Sequence, residues 1–262
     1  MNPDFFIIYD NQQSATATVN QLQNNDRVGN IFLLTSNAIL PQIPGCTTLI
    51  VENIEGTEIL VEMAKAVKAD KFFFYEKTTP LLLSYNTISR FCDVAHYTSA
   101  MMLYADHYAV ENGVTVKAPC IEYQFGAIRN DFDFGSLLLF DTEALNKYLE
   151  WNNGRKWTFA AMYDFRLFIS RIKDNNIFHI NELLYTEQEL DLRKSGEKQF
   201  DYVNPNNREV QVEMEKVATL HLEQIDAIIS QQNVKEVNLE EGDFPLEASV
   251  IIPVRNRKAT IL

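Results

Sequence analysis

The chain is short of cysteine, of basic charge and of long apolar runs, and each shortage removes a class of protein. Its three cysteines, Cys46, Cys92 and Cys120, are widely spaced and odd in number, which excludes a disulfide framework and suits a reducing compartment. No C-x-x-C pair offers the usual thiolate spacing for a metal. Lysine and arginine number 23 against 36 aspartates and glutamates, a net charge of −13. Such a field repels phosphate backbones, so nucleic acid is not an expected partner. No stretch approaches the ~20 apolar residues that cross a bilayer. The opening MNPDFFIIYDNQ has neither a basic segment nor an apolar run long enough for a signal peptide. The expectation is a cytoplasmic chain without a transmembrane segment. The first apolar run is not followed by a Gly-rich, Lys- or Arg-bearing loop, which argues against a nucleotidyltransferase that cradles a triphosphate.

What is present is an ordinary globular composition, 46% hydrophobic and 11% aromatic over 262 residues, enough for a substantial core. FFIIYD (5–10) is apolar without alternation, as in a strand buried on both faces, and a helix is expected around 15–24. NIFLLTS (30–36) and CTTLIVEN (46–53) repeat the strand pattern. GTEILVEMAKAVKAD carries Thr57 as N-cap and an apolar stripe at 59, 60, 63, 64 and 67. KFFFYEK predicts a fourth strand, LLLSYNTISRFCDVAHY a helix, and AMMLYADHYAV a fifth strand. This alternation predicts an α/β fold with a mainly parallel sheet flanked by helices. Ligands then bind beyond the carboxyl ends of the strands, where Asp10, Glu76 and Asp106 fall.

Further on, DFDFGSLLLFD (131–141) predicts a strand leading into a helix over 142–150. TFAAMYDFRLFISRIKDN predicts an amphipathic helix, and IFHINELLYTEQ a strand running into a loop. Residues 204–232 carry an apolar stripe through 210, 214, 217, 220, 222, 225, 228 and 229, which predicts a long C-terminal helix of about 25 residues. The acidic segment 233–247, with Gly and Pro, reads as a linker. ASVIIPVRNRKATIL (248–262) then repeats the opening pattern of an Ile-Ile strand, a polar turn and an Ala-Thr helix start. The expected organisation is a domain over 1–203, the long helix over 204–232 packed on it, the linker, and the start of a second domain over 248–262.

ASVIIPVRNRKATIL resembles the opening of family-2 glycosyltransferase domains, in which a Val-Ile-Ile-Pro-x-x-Asn strand and loop receive the nucleobase of the sugar donor. MLYADHYAVENGVTVKAP looks like that family's strand, Tyr-x-Asp, hydrophilic turn, Gly and Pro segment. YDFRLFISRIKDNNIFHINELLYTEQ is similar to its Asp-Tyr-Asp-Leu-x-Leu-Arg-Leu stretch with the His-Ile-Pro-x-x-Leu-Tyr that follows. The resemblance implies a GT-A-like fold for the first domain, placed before a second domain of the same kind, as in multidomain glycosyltransferases of Bacteroidetes. It implies a nucleotide-sugar donor, a glycan acceptor, a role in polysaccharide biosynthesis and the following domain as partner. Two departures stand against it. Metal-dependent members hold Mg²⁺ or Mn²⁺ on an Asp-x-Asp at the end of the fourth strand, and here that strand ends FFFYEK, with Glu76 beside Lys77. The family's catalytic base is an acid just before Tyr-Asp-Leu, and AAMYDFRL puts Met162 there.

From their place at strand ends, Asp10 (nucleobase) and Glu76 are candidate donor contacts, and Asp131 and Asp133 candidate acceptor contacts; the resemblance adds Asp106 (ribose, or a metal if any is bound) and His179 on the donor side and leaves Asp164 to replace the base. Each has a plainer reading. Asp106 caps a turn; His107 is a surface residue; Asp164 is a salt-bridged helix residue. Asp131 and Asp133 are outward positions of a strand, His179 is a satisfied core histidine, and the RKSGEK loop (193–198) is a solvated loop instead of a clasp on diphosphate. Two functions are expected from these: a degenerate glycosyltransferase-type domain handling a nucleotide sugar and a glycan, or a non-catalytic GT-A module that positions the following domain or holds glycan.

Overall fold

The computed structural model describes residues 2–37, 40–111, 113–172, 176–188, 207–229 and 234. The chain divides into residues 1–227 and 228–262. The RKSGEK loop, the segment 248–262 and the linker apart from Val234 lie outside the described residues. In chain order the elements are β1 (Asp4–Ile8), α1 (Gln12–Gln23), β2 (Ile31–Thr35), β3 (Thr47–Ile50), α2 (Thr57–Ala66), β4 (Lys71–Tyr75), β5 (Leu82–Leu83), α3 (Thr87–Thr98), β6 (Met102–Glu111), β7 (Val114–Ala118), β8 (Leu137–Asp141), α4 (Thr142–Asn152), α5 (Ala161–Ile172), β9 (Ile177–Gln188) and α6 (Arg208–Gln224).

One sheet runs β3-β2-β1-β4-β8-β6-β9-β5, with β7 on the side of β6. The strands β3, β2, β1, β4, β6 and β9 run one way, and β8, β5 and β7 run against them. The uninterrupted apolar strands follow from burial on both faces. Phe5, Ile7, Phe73, Tyr75 and Leu139 point to α1 and α3, where Val19, Leu22 and Phe91 meet them. Their neighbours Phe6, Phe72, Phe74, Leu138 and Phe140 point to α2, α4 and α5, against Leu60, Leu145 and Phe165. Rings stack directly across strands, Phe5 on Phe73 at 4.5 Å and Phe6 on Phe32 at 4.8 Å. Each such ring contributes about 1.5–3 kcal/mol relative to exposure.

Several local expectations change. The cap of α2 is Gly56, in extended conformation; the Thr57 hydroxyl instead accepts the Trp157 N–H at 2.8 Å, a partner no local pattern reveals. LLLSYN opens with the two-residue strand β5 on the edge of the sheet before α3 begins. Residues 131–136 form a loop and only 137–141 a strand, which lies antiparallel between β4 and β6. The outward-strand reading of Asp131 and Asp133 therefore falls. IFHINELLYTEQ is strand throughout, as β9.

The helix expected over 204–232 is 17 residues long. It ends because Asp226 takes a left-handed conformation, φ 55°, and the Ala227 N–H turns back to the Leu222 carbonyl at 2.9 Å. Val217 buries α6 against Ala160, Tyr163 and Leu167. Glu213 of α6 also accepts the N–H groups of Thr158, Phe159 and Ala160, at 2.6, 2.9 and 3.3 Å, a carboxylate set at the start of α5.

Candidate functional site

Where β4 ends, a buried polar network ties four segments together. Gly135, at φ 68°, swings the chain into β8 where any side chain would collide with the Tyr185 hydroxyl. Asp133 fixes that turn by accepting the Gly135 N–H at 2.8 Å. The Ser136 N–H donates to the Tyr185 hydroxyl at 2.8 Å, and the Ser136 carbonyl accepts the Glu76 N–H at 3.0 Å. Glu187 of β9 collects three groups: the Lys77 ammonium, the Ser136 hydroxyl and His107 Nε2 at 3.4 Å. Burial pushes the Glu187 carboxyl up, but the donors His107, Lys77 and Ser136 outweigh it and hold the pKa below the ordinary value. His107, read from sequence as a surface residue, is 4% exposed. The β6–β9 ladder skips from Ala105–Ile180 to His107–Tyr185, and this irregularity lays the His107 ring on Tyr185, centroids 5.0 Å apart.

Asp106 sits in that irregularity. Its Oδ1 accepts from His179 Nε2 at 2.7 Å and from the Cys120 N–H at 2.9 Å, and the His179 ring stacks on Tyr104 at 4.8 Å. The structure thus joins two predicted residues from segments far apart in sequence. It uses them on each other, which keeps His179 to its plainer reading as a satisfied histidine; Asp106 lies inside β6 and neither at a strand end nor at a turn, and the amide it accepts is 14 residues away. The cysteines are free; burial raises the Cys120 thiol to about 12 and Cys46 to about 11, so neither is a thiolate at neutral pH.

Beside this network opens a cleft of 210 Å³. Apolar side chains, Phe132, Phe134, Phe159, Met162 and Met214 among them, make most of its wall, with Glu76 and Arg166 as its charged residues. Glu76 is exposed at the edge of the cleft. Crowding by the protein on its inner side first, then the negative charges of Glu187 and Asp133, raise its pKa to about 7, with Lys77 opposing. A surface hollow of 740 Å³ between α2 and residues 149–158 is larger. It mixes acids and bases evenly and holds none of the predicted residues.

The other candidates lie elsewhere. Asp164, expected as a replacement base, is 2% exposed and bonded to Tyr148 Oη at 3.0 Å and Trp157 Nε1 at 2.7 Å. It joins α4 to α5 and does not line the cleft; burial raises its pKa despite those two donors. Asp131 is exposed and paired bidentately with Arg129 at 2.9 Å, which holds its carboxyl low. Asp10 is exposed past β1, its carbonyl accepting Asn37 Nδ2 at 3.4 Å.

A divalent cation does not fit this donor set. Asp106 is spent on His179 and an amide, Glu76 has an ammonium as its sequence neighbour, and among the described residues no three His, Cys, Asp or Glu side chains group as ligands. Sequence reasoning missed Glu187, Ser136, Tyr185 and Arg166. The available signals were an acid inside the apolar run of β9 and an arginine among the apolar residues of α5.

No protein-family model matches the chain, and no curated protein matches it in sequence. Solved structures do resemble it. S. aureus TarS 1–349 in complex with UDP-GlcNAc superposes with a TM-score of 0.57 at 11% identity, over 88% of this chain and 69% of that one. The complex with UDP gives 0.55 at 11% identity, over 88% and 68%. TarS 1–349 alone gives 0.52 at 12%, over 72% of this chain and 60% of that one. The chain thus spans about two thirds of the length of these TarS structures. The likeness shows the fold, a GT-A-like sheet with flanking helices. Among the described residues no helix is long and apolar enough to cross a membrane.

Proposed function

We propose that the chain is a glycosyltransferase-type domain that receives a nucleotide-diphosphate sugar at the carboxyl ends of β1 and β4 and a glycan in the adjoining cleft, with its own transfer chemistry lost. The observation that carries this reading is the cleft itself. It lies at the end of β4, and TarS, which shares the fold, was solved with UDP and UDP-GlcNAc. Its one carboxyl among the described lining residues is Glu76, while Met162 occupies the wall where the family resemblance calls for a base. In this reading Asp10 meets the base edge, Lys77 and Glu76 the diphosphate end, and residues 248–262 open a further domain that performs the transfer. Weak donor binding follows from charge. A diphosphate adds about two to three negative charges to a site that already holds Glu76, Asp133 and Glu187, and Lys77 is engaged by Glu187.

A second reading rests on the position of Glu76, the one carboxyl among the described residues that line the cleft. A carboxyl with a pKa near 7 is poised as a general base, so Glu76 itself would deprotonate an acceptor. Calorimetric titration with UDP and UDP-sugars, with Mn²⁺ and with chelator, together with an assay for released sugar, separates the two. The expected outcome is weak UDP binding that Mn²⁺ does not strengthen, and no sugar release. Transfer or hydrolysis abolished by Glu76→Gln establishes the second reading, and absence of any nucleotide binding refutes both.

A further inference from the structure

Arg166 is the one arginine of the cleft wall, and its surroundings do not neutralise it. It is 5% exposed. Its Nη1 donates to the Ala127 carbonyl at 2.9 Å and its Nη2 to the Arg129 carbonyl at 2.6 Å. The rings of Tyr163, Phe134 and Tyr123 lie 5.0, 5.6 and 5.9 Å from its guanidinium carbon. Three other arginines meet acids, Arg129 with Asp131, Arg90 with Glu182 and Arg155 with Asp164, whereas Arg171 stacks on Trp151 and Phe168 away from the cleft. Arg166 pairs with no carboxylate among the described residues; burial lowers its pKa, and Tyr123 and Tyr163 oppose that only in part. Carbonyls and ring faces offset part of the cost of burying a cation, but a buried charge without a counter-charge remains unfavourable. The planar fork is also the group best shaped for carboxylate or phosphate.

Position separates this cation from the donor end. Arg166 lies one helical turn beyond Met162, on the same face of α5, and Met162 is where the resemblance places the group facing the acceptor. Glu76 and Lys77, at the end of β4, form the other charged group of the site. Phe132 and Phe134, 4.4 Å apart, line the wall with it and offer an apolar surface to a sugar ring.

We propose that the cleft selects an acidic glycan: a carboxylate or phosphate carried by the acceptor sugar is received by Arg166, with the sugar face against Phe132 and Phe134. This rests on reading the cleft as the acceptor site. It is tested on the 262-residue chain by titrating glucuronate, its neutral amide, glucose 6-phosphate and glucose, and separately UDP. Both anions are expected to bind at least about ten-fold tighter than their neutral counterparts, the difference one charge-assisted contact supplies. Arg166→Gln should erase the difference, Arg166→Lys should keep part of it, and neither should alter UDP affinity. If the glutamine variant does not fold, the comparison of acid with amide on the unaltered chain decides alone. Equal binding of acid and amide, or no binding of the acids, overturns the proposal. UDP affinity that falls with Arg166→Gln also overturns it, since Arg166 then serves the donor diphosphate. Acid-over-amide preference in a chain that does not bind UDP removes the donor reading and leaves this one standing.

Discussion

Strands β1, β2 and β4 bury phenylalanine against phenylalanine, whereas β6, β9 and the entrance to β8 bury carboxylates against imidazoles, a lysine and a serine. In the first region the contacts Phe5–Phe73, Phe6–Phe32 and Phe6–Phe72 are carbon against carbon, and the buried charges Asp4 and Lys71 stand only at the starts of β1 and β4. In the second, Glu187 holds Lys77, Ser136 and His107, and Asp106 holds His179. The difference is one of what can change. An apolar interior answers to volume and keeps its state at any ordinary pH. A buried charged network answers to protons and ligands, and the cleft is built at its border, next to Glu76.

The comparison can be broken from either side. Phe73→Ala removes a fully buried ring and is expected to cost about 3–5 kcal/mol, read from the urea midpoint with no added pH dependence. Glu187→Gln should cost less, about 2–3 kcal/mol at neutral pH, because the Lys77 it strands is partly exposed. Its signature is the pH profile. The folded Glu187 pKa is depressed below the ordinary 4.5, so its contribution is present above 4.5 and lost as pH falls through the lower folded value. The glutamine variant should lack that acid-side loss in urea titrations at a series of pH values. If both variants lose the same stability at every pH, the two regions do not differ in kind.

The first region was legible in the sequence because its information is local. FFIIY, IFLLT and KFFFY have no polar interruptions, and only burial on both faces accommodates them. Helices α2 and α5 follow from the spacing of their apolar residues, and a mainly parallel sheet flanked by helices follows from the order of elements, its GT-A-like form being implied only by the family resemblance. The second region was legible only as residue types. Asp106 and His179 were both singled out, yet nothing local shows that they bond to each other. His107 was taken for a surface residue because the break in the β6–β9 ladder cannot be seen from HYAV alone. Asp164 was taken for a site residue because its partners, Tyr148 and Trp157, lie on the preceding helix and loop. The antiparallel direction of β8 depends on the loop 119–136 and its turn at Gly135, and Arg166 is concealed as a helical residue among aromatics.

Glu76 joins the two regions, since it leaves the apolar strand β4 and enters the field of the polar network. Its raised pKa has a consequence opposite in sign to that of Glu187. Between the ordinary 4.5 and about 7 the folded chain keeps a proton that the unfolded chain has released, so this group lowers stability as pH rises through that window. The most direct test is the carboxyl titration of Glu76 itself, followed by ¹³C NMR in the ligand-free chain. The account predicts a midpoint of about 7 that falls toward the ordinary value when Glu187→Gln removes the neighbouring charge. A midpoint at or below 4.5 in the unaltered chain contradicts it, because the cleft would then hold an ordinary surface carboxylate and not one confined beside charges drawn from β9 and the 131–136 loop.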